Sequence, residues 1–283
     1  MKFPDLRASI ACLAGLSLLS LAASTHAANT RCDFDEAARS FQGTPVEQAR
    51  CLLRPVQRYG ELAAPLATLP EPLEILIGQP VKVNLATLKN YLQTNNIAET
   101  DIGGPLTNRT TAKYFVIHDT STPNYGDQPI PTNINTLAWS GNNLNRWTNR
   151  AVAHAFVNRL GASIAPHPFA TPWRATKLEV KVLGEKSRGL FVHTELIQPR
   201  HRDPKGGPKN DALSPDPGFT EAQYDRLALL YVSASIQRGT WLIPAYHAAV
   251  DAGIPDAHDD PQHFDLKLWA GRLEKLLQTI GAS

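Results

Sequence analysis

The sequence predicts an α/β (α+β) chain, with a mixed central β-sheet flanked by helices and a helical N-terminal extension in front of it. Three observations predict this. Short runs of strand-favouring apolar residues recur between loops, at Tyr114–His118, Val152–Val157 and Gly189–Ile197. Two later segments, one opening at Thr220 and one running from Leu266 to Ile280, carry apolar residues at helical spacing. Strands interleaved with covering helices make a layered domain. The first hundred residues instead carry Pro-punctuated helix signals.

A chain of 283 residues with 42% hydrophobic and 19% charged content is long enough for one large domain plus an extension. The formal charge is only +2 and no dense Lys/Arg run occurs, so nucleic acid is not an expected partner. The 22 prolines imply much loop and few long helices.

Residues 1–27 read as a signal peptide. Lys2 and Arg7 give a positive start, Ala8 to Ala23 is apolar, and Thr25-His26-Ala27 offers small residues before a cleavage point near Ala27. The run is short for a membrane anchor, so no stable membrane insertion is expected after cleavage. A lipoprotein anchor at Cys12 is a minor reading. The expected location is periplasmic or secreted. Removal of Cys12 leaves Cys32 and Cys51, which in an oxidising compartment suggest one disulfide.

Residues 28–105 form the expected extension. Asp33–Phe41 is a short helix candidate with Phe34, Ala38 and Phe41 on one face. Thr44-Pro45-Val46-Glu47 is a capping box with Pro at the first helical position. Asn84 can cap a third helix with Leu85, Leu88 and Leu92 as its stripe. Each helix has one apolar face and little partner surface, so the extension should pack on the main domain. Gly103-Gly104-Pro105 marks the boundary.

In residues 106–283, Tyr114–His118 is the first strand, Val152–Val157 the second, Ser163–Ala165 a short third and Gly189–Ile197 the fourth. The Pro/Gly loop from Pro199 to Gly218, with Arg200, Arg202, Lys205 and Lys209, reads as solvated. Thr220-Glu-Ala-Gln223 is a capping box that opens a helix with Leu227, Leu230, Tyr231 and Ala234 inward, stopped by Gly239. Thr240–Ile243 is the fifth strand, and the final helix turns Trp269, Leu273, Leu276 and Leu277 inward.

Four places can carry chemistry: His118 at a strand end, Glu195 in the fourth strand, His247 after the fifth, and the cluster from His258 to His263. A lone His at a strand end is equally a plain terminus. Two His and a carboxylate, however, form a three-ligand set that leaves a fourth zinc position open to water, and a further carboxylate can take a proton from that water.

The order of these motifs resembles the type 2 N-acetylmuramoyl-L-alanine amidases, the superfamily of phage T7 lysozyme and the peptidoglycan recognition proteins. Tyr114-Phe-Val-Ile-His118 is similar to that family's first ligand strand. Ala153–Val157 with Gly161 is similar to its next strand and turn, and Leu190–Leu196 to the strand bearing a catalytic Glu. Asp260-Pro261 followed by Phe264-Asp265 is similar to its last motif. The resemblance spans roughly residues 110 to 283 and implies Zn2+ held by His118, His247 and Asp260. It implies catalytic roles for Glu195, which would deprotonate the attacking water, and for His258, which stands where the family often has an oxyanion-stabilising Lys or Thr. The implied substrate is peptidoglycan or a muropeptide. A non-catalytic peptidoglycan-binding recognition protein and a secreted antibacterial toxin are the alternatives. A wall endopeptidase is a further reading, disfavoured by the lack of a His-Glu-x-x-His motif.

Two departures stand out. Ala248 to Asp259 is a long spacer before the third ligand, which leaves Asp259, His258 and His263 as rivals to Asp260. Trp173-Arg174 replaces the family's usual Trp-His, so Arg174 is either a substrate contact or a surface residue. Among the other residues, His154 and His193 read as supporting neighbours of the site, and His167 and His201 as solvated. Trp139 and Trp147 read as packing residues, or as the lining of a groove.

Overall fold

The computed structural model of the chain describes Met1 and residues 31–150, 152–206 and 212–282. The expected signal segment with its cleavage point near Ala27, Cys12 and Lys209 lie outside the described residues.

The extension begins differently from its sequence signals. In place of a helix over Asp33–Phe41 there is a hairpin, β1 (Phe34–Asp35) paired antiparallel with β2 (Ser40–Phe41). The Asp35 carboxylate accepts from the amides of Ala37 and Ala38, a local bond that competes with helix, and Arg39 takes φ 50°. Next, α1 (Pro45–Leu52) opens on the expected capping box, with Thr44 and Glu47 each accepting the other's amide proton. The Cys32–Cys51 disulfide ties the hairpin's approach to α1. The short helix α2 (Glu71–Leu76) carried no sequence signal, whereas α3 (Leu85–Thr94) is capped by Asn84 as expected. Leu88 and Leu92 are buried, but Leu85 is left 41% exposed.

The main sheet runs in the order β5 (Ser163–Ile164), β4 (Ala155–Val157), β6 (Phe191–Leu196), β3 (Tyr114–Asp119), β9 (Ile243–Tyr246). Strands β4, β6, β3 and β9 are parallel, and β5 is an antiparallel edge. β7 (His201–Arg202) and β8 (Ala212–Leu213) form a separate ribbon. Helices α4 (Glu221–Arg238), α5 (His247–Val250) and α6 (Leu266–Thr279) complete the domain.

Further expectations are corrected. The fifth strand lies three residues later than Thr240–Ile243, because Thr240 bridges Pro80 and Trp241 exchanges backbone hydrogen bonds with Gly78 and Gln79 of the extension. The second strand is shorter and starts after His154. In the Pro199–Gly218 loop, Arg200 is not solvated: it is 1% exposed and paired with Asp119 at 2.9 Å. His201 lies in β7.

The side-chain alternation of β3 explains how the two layers meet it. Phe115 packs edge-on against Tyr231 of α4. Tyr114 points the other way, meets Phe41 of the hairpin, accepts from the Phe41 amide and donates to Gln48 of α1. His118 has the parity of Tyr114. The extension therefore covers the amino-terminal half of the sheet face whose carboxyl-terminal half carries His118. One hydrophobic core joins Leu52, Leu73 and Leu88 of the extension with Ile117, Leu230 and Trp269. Among the described residues no helix is long and apolar enough to cross a membrane.

Candidate metal centre

Four parallel strands end at one edge of the sheet, so side chains at their carboxyl ends converge there. His118 and Glu195 are register partners on β3 and β6, hence neighbours on one face. His247 follows β9 directly, where the chain leaves the sheet into the single turn of α5. Asp260 arrives from a loop and is anchored twice. Its carbonyl accepts from the Ala248 amide at 2.8 Å, and its Oδ2 accepts from the Asp119 amide at 2.9 Å.

These elements bring His118, His247 and Asp260 into one buried cluster. His118 Nδ1 and His247 Nδ1 are 2.8 Å apart, His247 Nδ1 is 3.0 Å from Asp260 Oδ1, and His118 Nδ1 is 4.0 Å from Asp260 Oδ2. A tetrahedral ion with ligands at 2.0–2.2 Å requires donor atoms about 3.3 Å from one another, so the donor set fits a metal ion. Among the rivals, Asp259 turns toward Gln262 and Arg200, and His263 bonds Ser214 and the Pro215 carbonyl, so neither joins the cluster.

The electrostatics follow from burial. Burial, reinforced by His247, drives the His118 pKa well below the usual imidazole value. Burial also opposes charge on His247, but Asp260 and Asp251 overcome it and raise its pKa to about 10. Against the upward push of burial, His247 holds Asp260 below the ordinary carboxylate value. Without an ion, His247 and Asp260 thus form an ion pair. An ion bound between them replaces the shared proton.

Glu195 stands beside the cluster, with Oε1 4.0 Å from His118 Nδ1. Its Oε2 is buried with no hydrogen-bond partner. Burial, then the nearby Asp260 carboxylate, push its pKa well above the usual value, only partly offset by His247. A buried carboxyl group with a raised pKa beside potential metal ligands is a candidate for proton transfer. His258 stacks on His247 with ring centroids 4.0 Å apart, keeps 43% of its side chain exposed, and approaches Asp251 Oδ2 at 3.1 Å through Nδ1. A cavity of about 490 Å³ opens over the cluster, and its lining includes Glu195, His258, Asp260, Val152, Val180 and Lys181.

The remaining sequence candidates divide. Arg174 borders the same cavity and pairs with Glu185 at 3.1 Å. His167, read as solvated, stacks on Trp173 at 4.0 Å. Trp139 is buried and donates to the Tyr125 hydroxyl, and Trp147 stacks on Phe156, so both are packing residues. His154 and His193 are buried behind the cluster, in the supporting positions read from the sequence.

Two buried acids were missed, Glu179 and Asp251. Asp251 carried a usable signal, since it lies four residues after His247 and therefore on the same face of a helical turn. Glu179 carried only a local signal, a capping box with Thr176, because only the tertiary fold brings it to His193. Compared with family models, curated proteins and solved structures, the chain matches none.

Proposed function

We propose that the chain is a zinc-dependent N-acetylmuramoyl-L-alanine amidase that hydrolyses the amide between N-acetylmuramic acid and L-alanine in peptidoglycan or muropeptides. The observation that carries this reading is the convergence of His118, His247 and Asp260 on one buried point beside Glu195, in the motif order of the type 2 amidases. The signal segment of residues 1–27 agrees with a substrate outside the cytoplasm.

His118 and His247 would hold the ion through Nδ1, and Asp260 through a carboxylate oxygen. When bound, zinc supplies Lewis-acid polarisation of the scissile carbonyl and acidifies a water. Glu195 takes the proton of the attacking water on its unpartnered Oε2 and returns it to the leaving amine. His258 commits Nδ1 to Asp251, which leaves Nε2 to face the substrate. An N–H at that position would stabilise the developing oxyanion. Elsewhere in the cavity lining Val152 and Val180 offer apolar contact, and Lys181 positive charge.

A recognition protein without catalysis has no use for a buried, unpartnered carboxylate at this position, which favours the enzyme. Digestion of purified peptidoglycan followed by mass spectrometry tests the reading. Stem peptides with free L-alanine amino termini should appear, vanish on chelation and return with zinc. Cleavage within the peptide, or no cleavage by the zinc-loaded protein, overturns it.

A further inference from the structure

Both histidines of the cluster are backed by buried carboxylates, and one short segment organises both. His118 Nε2 lies 3.0 Å from His193 Nδ1, and His193 Nε2 lies 3.1 Å from Glu179 Oε2. That same oxygen accepts from the amides of Ala175 and Thr176 at 3.1 Å and from the Thr176 hydroxyl at 3.0 Å. One residue away, the Leu178 amide donates to Asp251 Oδ1 at 3.0 Å, and Asp251 Oδ2 lies 3.0 Å from His247 Nε2. Glu179, His193 and Asp251 are each fully buried. The segment continues into a π-helical turn, Leu178–Leu183, a geometry concentrated at functional sites.

The proton count along these contacts is self-consistent. The Glu179 carboxylate, 3.1 Å from His193 Nε2, favours a proton on that nitrogen by its charge and so a lone pair at Nδ1. His118 then carries its proton on Nε2, which leaves Nδ1 bare toward Asp260 and His247. With an ion at Nδ1, the Asp251 charge would likewise favour the proton on His247 Nε2. His154 repeats the pattern, with Nδ1 accepting from the His193 amide and Nε2 facing the Thr171 carbonyl. His193 Nε2 and His247 Nε2 approach their carboxylates without an aligned hydrogen bond, so the carboxylates act on them as close charges. Outer partners of this type orient a ligand ring and raise its basicity.

We propose that Ala175–Glu179 is a clamp that presents both imidazoles to the metal, with Glu179, His193 and Asp251 as its positioning residues. This rests on His118 and His247 being ligands, and it does not depend on the substrate. An alternative use of Asp251, as a ligand with His247 and His258 to a second ion, is an outcome of the test.

Zinc affinity of the full chain, measured by competition with a chromophoric chelator, reads the clamp directly. D251N and H193F should each weaken zinc binding by about 10–100-fold. Phe retains the aromatic shelf between Phe191 and His154, so H193F removes the acceptor while keeping the packing. Cobalt substituted into either variant should give a shifted visible spectrum, which a merely structural change would leave alone. Nitrogen-edited NMR of the unmutated zinc protein, which requires no variant to fold, should find the proton on Nε2 of His118, His193 and His247. Folded variants that bind zinc within twofold of the parent overturn the clamp, as does an Nδ1–H form of His193. Two zinc ions per chain, one of them lost in D251N with the other unchanged, also overturn it. A parent that binds zinc but leaves peptidoglycan intact defeats the amidase reading alone.

Discussion

Gly60 of the extension lies directly against Asp259, the residue before the third proposed ligand. A Cβ placed on Gly60 would fall 2.6 Å from the Asp259 Cα, and Gly60 itself sits at φ +79°. The extension therefore abuts the loop that delivers Asp260, in addition to covering the sheet face below His118.

Substitution at this contact should be felt at the metal. Gly60→Ala forces a side chain into a left-handed backbone and into Asp259, at a cost of about 1–3 kcal/mol. It should also weaken zinc binding, because the Asp259–Asp260 backbone must shift. Chemical denaturation and zinc competition on the same preparation check both parts.

Glu195 and Asp260 separate chemistry from binding. Glu195→Gln should retain zinc and lose turnover by about 10²–10⁴-fold, the usual worth of a positioned base. Asp260→Ala leaves two ligands and should lose more zinc affinity than the roughly 10–100-fold expected for an outer partner. Metal analysis beside product assays distinguishes the two variants.

The Cys32–Cys51 disulfide closes a loop of 19 residues in sequence. Constraining such a loop in the unfolded chain is worth about 3 kcal/mol. Replacing both cysteines by Ala should lower the unfolding free energy by about that amount in denaturant titrations, with the zinc site intact.

His154 gives a pH dependence with a definite sign. Burial, then the neighbouring His193, hold its pKa at about 3 against the pull of the Thr171 carbonyl. The unfolded imidazole titrates near 6.5, so between about pH 6.5 and 3 the unfolded chain binds a proton that the folded chain refuses. The contribution is complete above pH 6.5 and is lost as pH falls toward 3. The slope should approach about 1.4 kcal/mol per pH unit in that window. His154→Gln should flatten it in unfolding curves measured across that range.

Local signals in the sequence located the elements that terminate themselves. The reciprocal caps at Thr44 and Thr220, the Asn84 cap, the Gly239 stop and the inward stripe of α6 all depend on residues within a turn of one another, and all are present. Local patterns could not foresee partners distant in sequence. The Asp35 turn overrode an apparent helix, and pairing of Thr240 and Trp241 with the extension pushed β9 three residues onward.

The same division holds at the site. Residue types singled out His118, Glu195, His247 and the cluster from His258 to His263, along with the disulfide pair, and the resemblance to the type 2 amidase motifs pointed within that cluster to Asp260. Only the tertiary structure brought Asp260 together with His118 and His247 and turned Asp259 and His263 to other partners. Only the tertiary structure, too, brought Glu179 to His193 behind His118, whereas Asp251 lies within one helical turn of His247. A metal ligand leaves a trace in sequence because its chemistry demands a residue type. An outer partner distant in the chain, such as Glu179, is chosen by proximity, and proximity across a parallel sheet is set by strand order and register, which no short stretch of sequence contains.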